Sequence, residues 1–212
     1  MADTGYIRSQ FPILKQKVHG HPLVYLDSAA TAQKPQYVID AERDFYETVN
    51  AGVHRGAHEL AARSTQAYED ARTRVAHFVG AQSQSGTEEI VVTPGLNLLA
   101  TAFGNASLGR GGEPARRFAL RPGDEIAVTR AEHHSALLPF QELAERTGAV
   151  LRWLDLAEDG RIRTDSEMLG SVITERTKAV VFTHISNVTG AITDVAPIVA
   201  CAHEAGAVTV LD

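Results

Sequence analysis

From about Gly86 onward, short apolar runs alternate with stretches in which apolar residues recur every three or four positions. Runs such as Val180–Phe182 and Ala207–Leu211 show no alternation with polar residues, which is typical of strands buried on both faces. The stretches between them have the spacing of amphipathic helices. Strands and helices in strict alternation build parallel sheets, so the pattern predicts an α/β fold with a mostly parallel sheet covered by helices.

The predicted elements of this region follow one another at short intervals. We expect strands at 89–92, 125–129, 150–156, 180–182 and 207–211, and helices at 96–103, 139–146, 166–173 and after Asp194. The segment 105–122 is rich in glycine and arginine and is expected to be a surface loop.

The first 85 residues have a different character. Val24–Leu26 predicts a short strand, and a helix is expected to open at Pro35. A second helix is expected from about Ser64 to Gly80, with an apolar stripe of Ala67, Ala71, Val75 and Val79. We therefore divide the chain into an amino-terminal arm with helices, residues 1–85, and an α/β large domain, residues 86–212.

Composition and charge narrow the class of protein. Apolar residues make up 44% and charged residues 22% of the chain, which is ordinary for a globular protein, and the net charge of -6 argues against nucleic acid as a partner. No apolar run approaches the roughly 20 residues that span a bilayer, and the first residues lack the order of a secretory signal. The single cysteine, Cys201, excludes an intrachain disulfide and favours a cytoplasmic location.

Polar side chains follow three of the predicted strands. His133 and His134 follow the first, His184 and Asn187 the second, and Asp212 the third. Parallel strands present such tips on one edge of the sheet, where ligands of open α/β folds bind. An imidazole can stack on a flat pyridine ring, and an amide can form a hydrogen bond with it. A carboxylate can pair with the ring nitrogen and keep it protonated, which makes the ring a better electron sink.

Other sites are weaker hypotheses. The turn Thr93–Gly95 precedes an apolar helix, whose amino terminus could bind an anion. His54 and His58 are four residues apart, but a glycine lies between them and no His-Glu-x-x-His or Cys-x-x-Cys spacing occurs, so we predict no metal site. Cys201 lies inside a predicted helix and is interpreted as a packing residue.

Five segments, in order along the chain, identify a family. They are YLDSAATAQKP (25–35), NAGVHRGAHELAARST (50–65), AEHHSALLPFQ (131–141), TKAVVFTHISNVTGAI (177–192) and AHEAGAVTVLD (202–212). They resemble the amino-terminal portion of SUF-type (group II) cysteine desulfurases, within the class V aminotransferases. The resemblance implies a truncated fold-type I large domain that binds pyridoxal 5'-phosphate (PLP), in a homodimer. Such enzymes convert L-cysteine to L-alanine and an enzyme-bound persulfide, whose sulfur passes to an acceptor protein for iron–sulfur cluster assembly.

The resemblance also assigns roles to residues. His133 matches the imidazole that stacks on the PLP ring and assists proton transfer, and it is the one catalytic residue expected here. Asn187 matches the amide near the ring hydroxyl, and Asp212 the carboxylate on the pyridine nitrogen. The remaining assignments are Gly95 for the cofactor, Ala29 and Ala30 for the substrate pocket, and His54 and Arg55 for the loop near the active site and dimer interface.

Two departures from the family pattern bear on activity. The lysine that holds PLP and the nucleophilic cysteine lie beyond Asp212 in the family, and neither Lys178 nor Cys201 aligns with them. About four residues that contribute phosphate contacts are absent between Gly95 and Leu96. We therefore expect an inactive fragment that does not release sulfide from cysteine by itself. The alternatives are a non-catalytic remnant that binds a partner, or another class V enzyme such as a selenocysteine lyase.

Overall fold

The computed structural model describes residues 3–29, 31–81 and 95–212. Those up to 81 belong to one compact unit and those from 95 to a second. The predicted strand at 89–92 and most of the predicted turn at 93–95 lie outside the described residues.

The described part of the first unit contains three helices and a small hairpin. The helices are α1 (Thr4–Ser9), α2 (Gln36–Thr48) and α3 (Glu59–Val79), and the hairpin pairs β1 (Lys17–Val18) with β2 (His21–Pro22) in antiparallel fashion. A 3₁₀ turn, Pro12–Lys15, precedes the hairpin. The predicted helix after Pro35 is confirmed as α2, whose amino-terminal cap is Pro35 itself.

The predicted strand of this unit and the predicted start of α3 are wrong. Val24–Leu26 forms no strand, and Leu26 is 91% exposed, because no neighbouring strand pairs with this segment in the described part of the unit. Helix α3 begins at Glu59 rather than Ser64, because the His58 imidazole caps its first turn by accepting a hydrogen bond from the Ala61 amide at 3.3 Å.

The predicted stripe of α3 is also wrong. Its buried residues are the small side chains Ala61, Ser64 and Ala76, whereas Val75 and Val79 are exposed. Ser64 is held inward because its hydroxyl donates a hydrogen bond to the Ala51 carbonyl at 3.0 Å. The predicted end of the helix at Gly80 is confirmed, since that residue has the positive φ of 68° that a terminating glycine adopts.

The second unit is an α/β layer structure. Its strands are β3 (Glu125–Thr129), β4 (Val150–Leu154), β5 (Thr177–Phe182) and β6 (Val208–Leu211). Its helices are α4 (Leu96–Ser107), α5 (Gly112–Ala115), α6 (His134–Thr147), α7 (Ser166–Val172) and α8 (Ala196–Glu204). Within residues 95–212 the predicted strands and helices are confirmed apart from their ends. Helix α5 and a 3₁₀ turn at Arg116–Phe118 occupy part of the predicted loop.

The four strands form one parallel sheet in the order β4-β3-β5-β6. Alternate residues of the central strands face opposite layers: Ile126 and Val128 pack with α4 and α6, whereas Ala127 packs with α7 and α8. Phe140 of α6, fully buried, meets Phe103 of α4 edge to face at 6.2 Å between ring centroids. The sheet is therefore covered on both faces, as the unbroken apolar runs predict.

The helices within the described ranges include none that is long and apolar enough to cross a membrane.

Candidate functional site

The strand order reverses between β3 and β5. The chain passes from β3 to β4 through α6 on one face of the sheet, then returns through α7 on the other face to place β5 on the opposite side of β3. Loops that leave two neighbouring strands in opposite directions open a crevice at the carboxyl ends of those strands. The topology therefore locates a ligand-binding position at the tips of β3 and β5.

Glu132 bridges these two tips. One of its carboxylate oxygens, Oε1, accepts hydrogen bonds from the Thr129 hydroxyl at 2.6 Å and from the Thr183 amide, just after β5, at 2.8 Å. The Thr129 hydroxyl in turn accepts from the Ala131 amide at 3.1 Å. The turn that leads to His133 is thereby fastened to the neighbouring strand.

The second oxygen of Glu132 has no such support. Oε2 is buried and lacks a hydrogen-bond partner within the residues that the structure describes. Burial raises the pKa of Glu132 above its usual value, and the negative charge of Asp212 adds to the rise, although the bonds from Thr129 and Thr183 oppose it. The site thus contains one carboxyl group whose charged form is disfavoured.

His133 caps helix α6 with its imidazole. Its Nδ1 accepts a hydrogen bond from the Ser135 amide at 3.1 Å and lies 2.8 Å from the Ser135 hydroxyl oxygen. Because Nδ1 accepts from an amide that can only donate, the neutral ring carries its proton on Nε2. The ring is exposed, and it lies 6.2 Å from that of His134, tilted by 41°. The exposed ring of His133 is therefore available at the rim for stacking, and its Nε2–H group is available to donate a hydrogen bond.

Asn187 lies at the end of a narrow loop after β5. The amide of Ser186 donates to the Ala191 carbonyl at 3.1 Å, and the buried Ser186 hydroxyl accepts from the amides of Val188 and Thr189. These bonds fix the backbone around Asn187 while its exposed side chain has no hydrogen-bond partner in the described part of the chain. The amide is therefore available to a ligand.

Asp212 is fastened to the tip of β5 through its backbone. Its amide donates to the Phe182 carbonyl and its carbonyl accepts from the His184 amide, each at 3.0 Å. Its side chain is exposed and its charge reaches Glu132. His133, Asn187 and Asp212 therefore all follow strands whose carboxyl ends lie along one rim of the sheet.

Gly95 and Asp212 line the same groove. The groove has a volume of about 630 Å³, lies between α4 and β6, and has an apolar wall that includes Leu96, Leu99 and Leu211. Gly95 precedes α4 with φ 65° and ψ -117°, a backbone conformation that residues other than glycine rarely adopt. Within residues 95–212 no side chain forms a capping hydrogen bond at the start of this helix. An uncapped helix terminus and a carboxylate therefore face one cavity of ligand size.

The predicted substrate-pocket residues belong to the first unit. Ala29 is exposed in a turn held by the Tyr25 hydroxyl, which lies 2.6 Å and 2.8 Å from the carbonyl oxygens of Asp27 and Thr31. Ala30 lies outside the described residues. Their assignment to a substrate pocket stays a prediction.

His54 and Arg55 lie in the turn between α2 and α3. His54 has a positive φ of 55°, and its amide and Nε2 bond to Thr65 Oγ1 at 3.0 Å and Glu69 Oε1 at 2.9 Å. Arg55 is exposed in the same turn, and its amide donates to the Gly52 carbonyl at 3.3 Å.

The histidines of the metal hypothesis have other partners. His54 bonds Glu69, and His58 caps α3. Across the described ranges, no three histidine, cysteine or acidic residues are grouped so that they could hold a metal ion.

Sequence reasoning missed the bridge made by Glu132. The notable signal is local: a glutamate stands between the end of a buried strand and a pair of histidines. One of its partners, the Thr183 amide, is 51 residues away in the chain. Any residue at position 183 other than proline would offer the same backbone amide, so the sequence carries no sign of this bond.

Comparison with known proteins places this geometry in a family. A parallel sheet with ligand-facing tips defines the class of α/β proteins that bind their ligands at a topological switch point. Residues 24–212 match the model of the aminotransferase class-V family, and the chain belongs to that family. The family uses PLP as its cofactor.

The relatives that the chain matches include cysteine desulfurases. It is 47% identical to the probable cysteine desulfurase 2 of Mycobacterium leprae over 99% of this chain and 48% of the relative, and 46% identical to the probable cysteine desulfurase of Streptomyces coelicolor over 100% and 49%. The chain therefore spans about half the length of these curated relatives.

Solved structures agree in fold. The apo cysteine desulfurase of Thermococcus onnurineus NA1 superposes with a TM-score of 0.80 at 31% identity, over 100% of this chain and 48% of that one. The cysteine desulfurase CsdA of Escherichia coli gives a TM-score of 0.75 at 35% identity, over 100% and 49%. The α/β fold of a PLP-dependent desulfurase is confirmed, with about half of those chains covered.

The rim residues fit a pyridoxal phosphate by their chemistry. A dianionic phosphate suits the uncapped start of α4 at Gly95, and a pyridine nitrogen suits the carboxylate of Asp212, in a groove that both residues line. The exposed imidazole of His133 can stack on the ring, and the exposed amide of Asn187 can form a hydrogen bond with it. The donor set is thus that of a site for a flat, anionic, nitrogen-containing ring.

Proposed function

We propose that this chain forms the cofactor-holding half of a PLP-dependent cysteine desulfurase. The observation that carries the proposal is the shared groove of Gly95 and Asp212, at the rim where His133 and Asn187 also lie. The family match over residues 24–212 and the names of the relatives support the same activity.

Each rim residue has one task. Asp212 keeps a proton on the pyridine nitrogen, and the Gly95 end of α4 receives the phosphate through its free N–H groups. Asn187 donates a hydrogen bond at the ring hydroxyl. His133 covers one face of the ring, and its Nε2 is the atom that holds or passes a proton. The cofactor, when bound, withdraws electrons from the amino acid that it carries.

The substrate and products are those of the family. L-cysteine loses its sulfur to an enzyme thiol, which becomes a persulfide, and L-alanine is released; the sulfur then passes to an acceptor protein. The residues proposed to contribute to substrate binding are Ala29, Ala30, His54 and Arg55. The proposed enzyme is a homodimer located in the cytoplasm. The lysine and the thiol are contributed by the half of the relatives that this chain does not span.

A complementation experiment tests the proposal. The 212-residue chain is mixed with PLP, L-cysteine and a reductant, with and without the second half of the Streptomyces coelicolor relative, expressed separately. Sulfide release is expected only in the presence of that second half. Turnover by the chain alone would contradict the assignment of the lysine and thiol, and failure of the wild-type chain to bind PLP by equilibrium dialysis would contradict the cofactor site.

A further inference from the structure

The Glu132 carboxyl group connects the tips of β3 and β5, and the proposed function gives it no role. Glu132 stands one residue before His133, and its Oε1 is satisfied by donors from both strands, at 2.6 Å from Thr129 and 2.8 Å from Thr183. Oε2 is buried without a partner among the described residues. A surface glutamate would instead turn its charge toward water, so this orientation requires a structural or chemical reason.

The surroundings of Glu132 lack a compensating cation. In the described ranges no lysine or arginine contacts it, and the charge that reaches it is the negative one of Asp212 at the tip of β6. His133 follows it on its own segment and His184 follows the Thr183 amide on the β5 side. The two carboxyl groups at this rim therefore differ in their surroundings. That of Glu132 is desolvated and accepts two hydrogen bonds, whereas that of Asp212 is exposed to solvent.

We propose that Glu132 is a positioning residue of the PLP site, because its Oε1 locks the tips of β3 and β5 together. The inference rests on the proposed function. The lock matters because His133 follows one tip and His184, bonded to the Asp212 backbone, follows the other.

The linkage with pH follows from burial. The folded state favours protonated Glu132, so the stability that this group contributes is present below the usual glutamate pKa of about 4.3 and is lost as pH rises through the raised pKa of Glu132. A neutral glutamine keeps an oxygen that can accept both hydrogen bonds and carries no charge. Relative to wild type, Glu132→Gln should therefore gain thermal stability as pH rises from about 4 to 8.

The test compares the 212-residue wild-type chain with Glu132→Gln, Glu132→Ala and the control Glu158→Gln, whose side chain is exposed in a turn. The PLP dissociation constant is measured by equilibrium dialysis, and exchange of the Thr183 amide proton by NMR without ligand. Glu132→Ala should weaken PLP binding by about tenfold, because it removes both hydrogen bonds to Oε1. The same substitution should accelerate exchange of the Thr183 amide proton. Glu132→Gln should preserve both, and the control should change nothing.

Distinct results separate this inference from the proposed function. If the wild-type chain does not bind PLP, the proposed function fails, and the lock is decided by Thr183 exchange, which needs no cofactor. Unchanged Thr183 exchange in Glu132→Ala would overturn the lock. A loss of affinity in Glu132→Gln equal to that of Glu132→Ala would also overturn it, because glutamine keeps an oxygen that can accept both hydrogen bonds. A Glu132→Gln melting difference that is constant with pH would contradict the effect of burial at Oε2. Should Glu132→Ala not fold, Thr129→Val removes one of the two bonds and should give the same effects more weakly.

Discussion

The backbone of Asp212 exchanges two hydrogen bonds with the tip of β5: its carbonyl accepts from the His184 amide, and its own amide donates to the Phe182 carbonyl, each at 3.0 Å. This pairing sets the carboxylate of Asp212 level with the loop that presents Asn187. The side chains that would grip a ring nitrogen and a ring hydroxyl are thus positioned by main-chain bonds of the sheet, which changes of side chain leave intact.

Replacing Asp212 by asparagine should weaken PLP binding without unfolding the chain. The amide keeps the shape of the side chain but removes the charge that retains a proton on the ring nitrogen, so we expect a loss of affinity of about tenfold. Equilibrium dialysis gives the affinity, and the fluorescence of Trp153, the single tryptophan, reports melting. An unchanged affinity would remove Asp212 from the site.

Gly95→Ala should impair both the start of α4 and PLP binding. At φ 65° and ψ -117° a side chain costs about 1–3 kcal/mol, although the space around Gly95 is open. The matched control is Gly170→Ala in α7, which also has open space but no positive φ. Alanine there should stabilise the chain by up to about 1 kcal/mol. Equal effects of the two substitutions in urea unfolding would contradict the account of Gly95.

Acidification should remove a bond at the opposite edge of the sheet. Glu125 is 2% exposed and accepts from Thr174 Oγ1 at 2.6 Å and Arg176 Nη2 at 2.8 Å. Burial acts to raise the pKa of Glu125, but these two bonds and the charge of Arg176 outweigh it, so the pKa lies below its usual value. The stability it contributes is therefore present above about pH 4.3 and is lost as pH falls through the lowered pKa.

Glu125→Gln should accordingly cost about 1–2 kcal/mol at neutral pH, and the gap to wild type should close in acid. Urea unfolding followed through Trp153 between about pH 3 and 7 measures this gap. The exposed Glu145→Gln on α6 serves as the control. A gap that widens in acid would reverse the sign of the argument.

Core packing between α4 and α6 gives a further prediction. Phe140 is fully buried and contacts Phe103, so Phe140→Ala leaves a cavity that should cost about 3–5 kcal/mol. Leu138, two residues away and 55% exposed, should cost less than about 0.5 kcal/mol on replacement by alanine. Chemical unfolding of both variants checks the contrast, and a larger effect at Leu138 would contradict the packing described for α6.

The sequence predicted the second unit well because its central strands, β3 and β5, are buried on both faces. A short unbroken apolar run such as Ala179–Phe182, followed by polar residues, is typical of a buried strand. The residues just after the carboxyl ends of such strands are polar where they reach solvent. The first unit was predicted less well: Val24–Leu26 has strand-forming residues, but a strand also needs a partner. In α3 the buried face carries small residues, so apolar size was a misleading guide.

The position of the candidate residues along one rim of the sheet was predictable, but the hydrogen bonds that connect the strand tips were not. His133, Asn187 and Asp212 could be inferred from their places after buried strands and from the family resemblance. The lock by Glu132 could not, since it depends on β5 lying beside β3 although β4 comes between them in the chain. Strand order is a property of tertiary packing, and a hydrogen bond to a backbone amide is independent of the side chain at that position.

The central claim is that the rim of β3, β5 and β6, together with the start of α4, holds a pyridoxal phosphate. A titration of the isotope-labelled chain with PLP, followed by backbone NMR, tests it most directly. We predict that the largest shift changes fall on the amides near Gly95, His133, Asn187 and Asp212, with Glu158 and the amino-terminal ends of the strands unaffected. Shift changes centred elsewhere, or none at millimolar PLP, would contradict the claim.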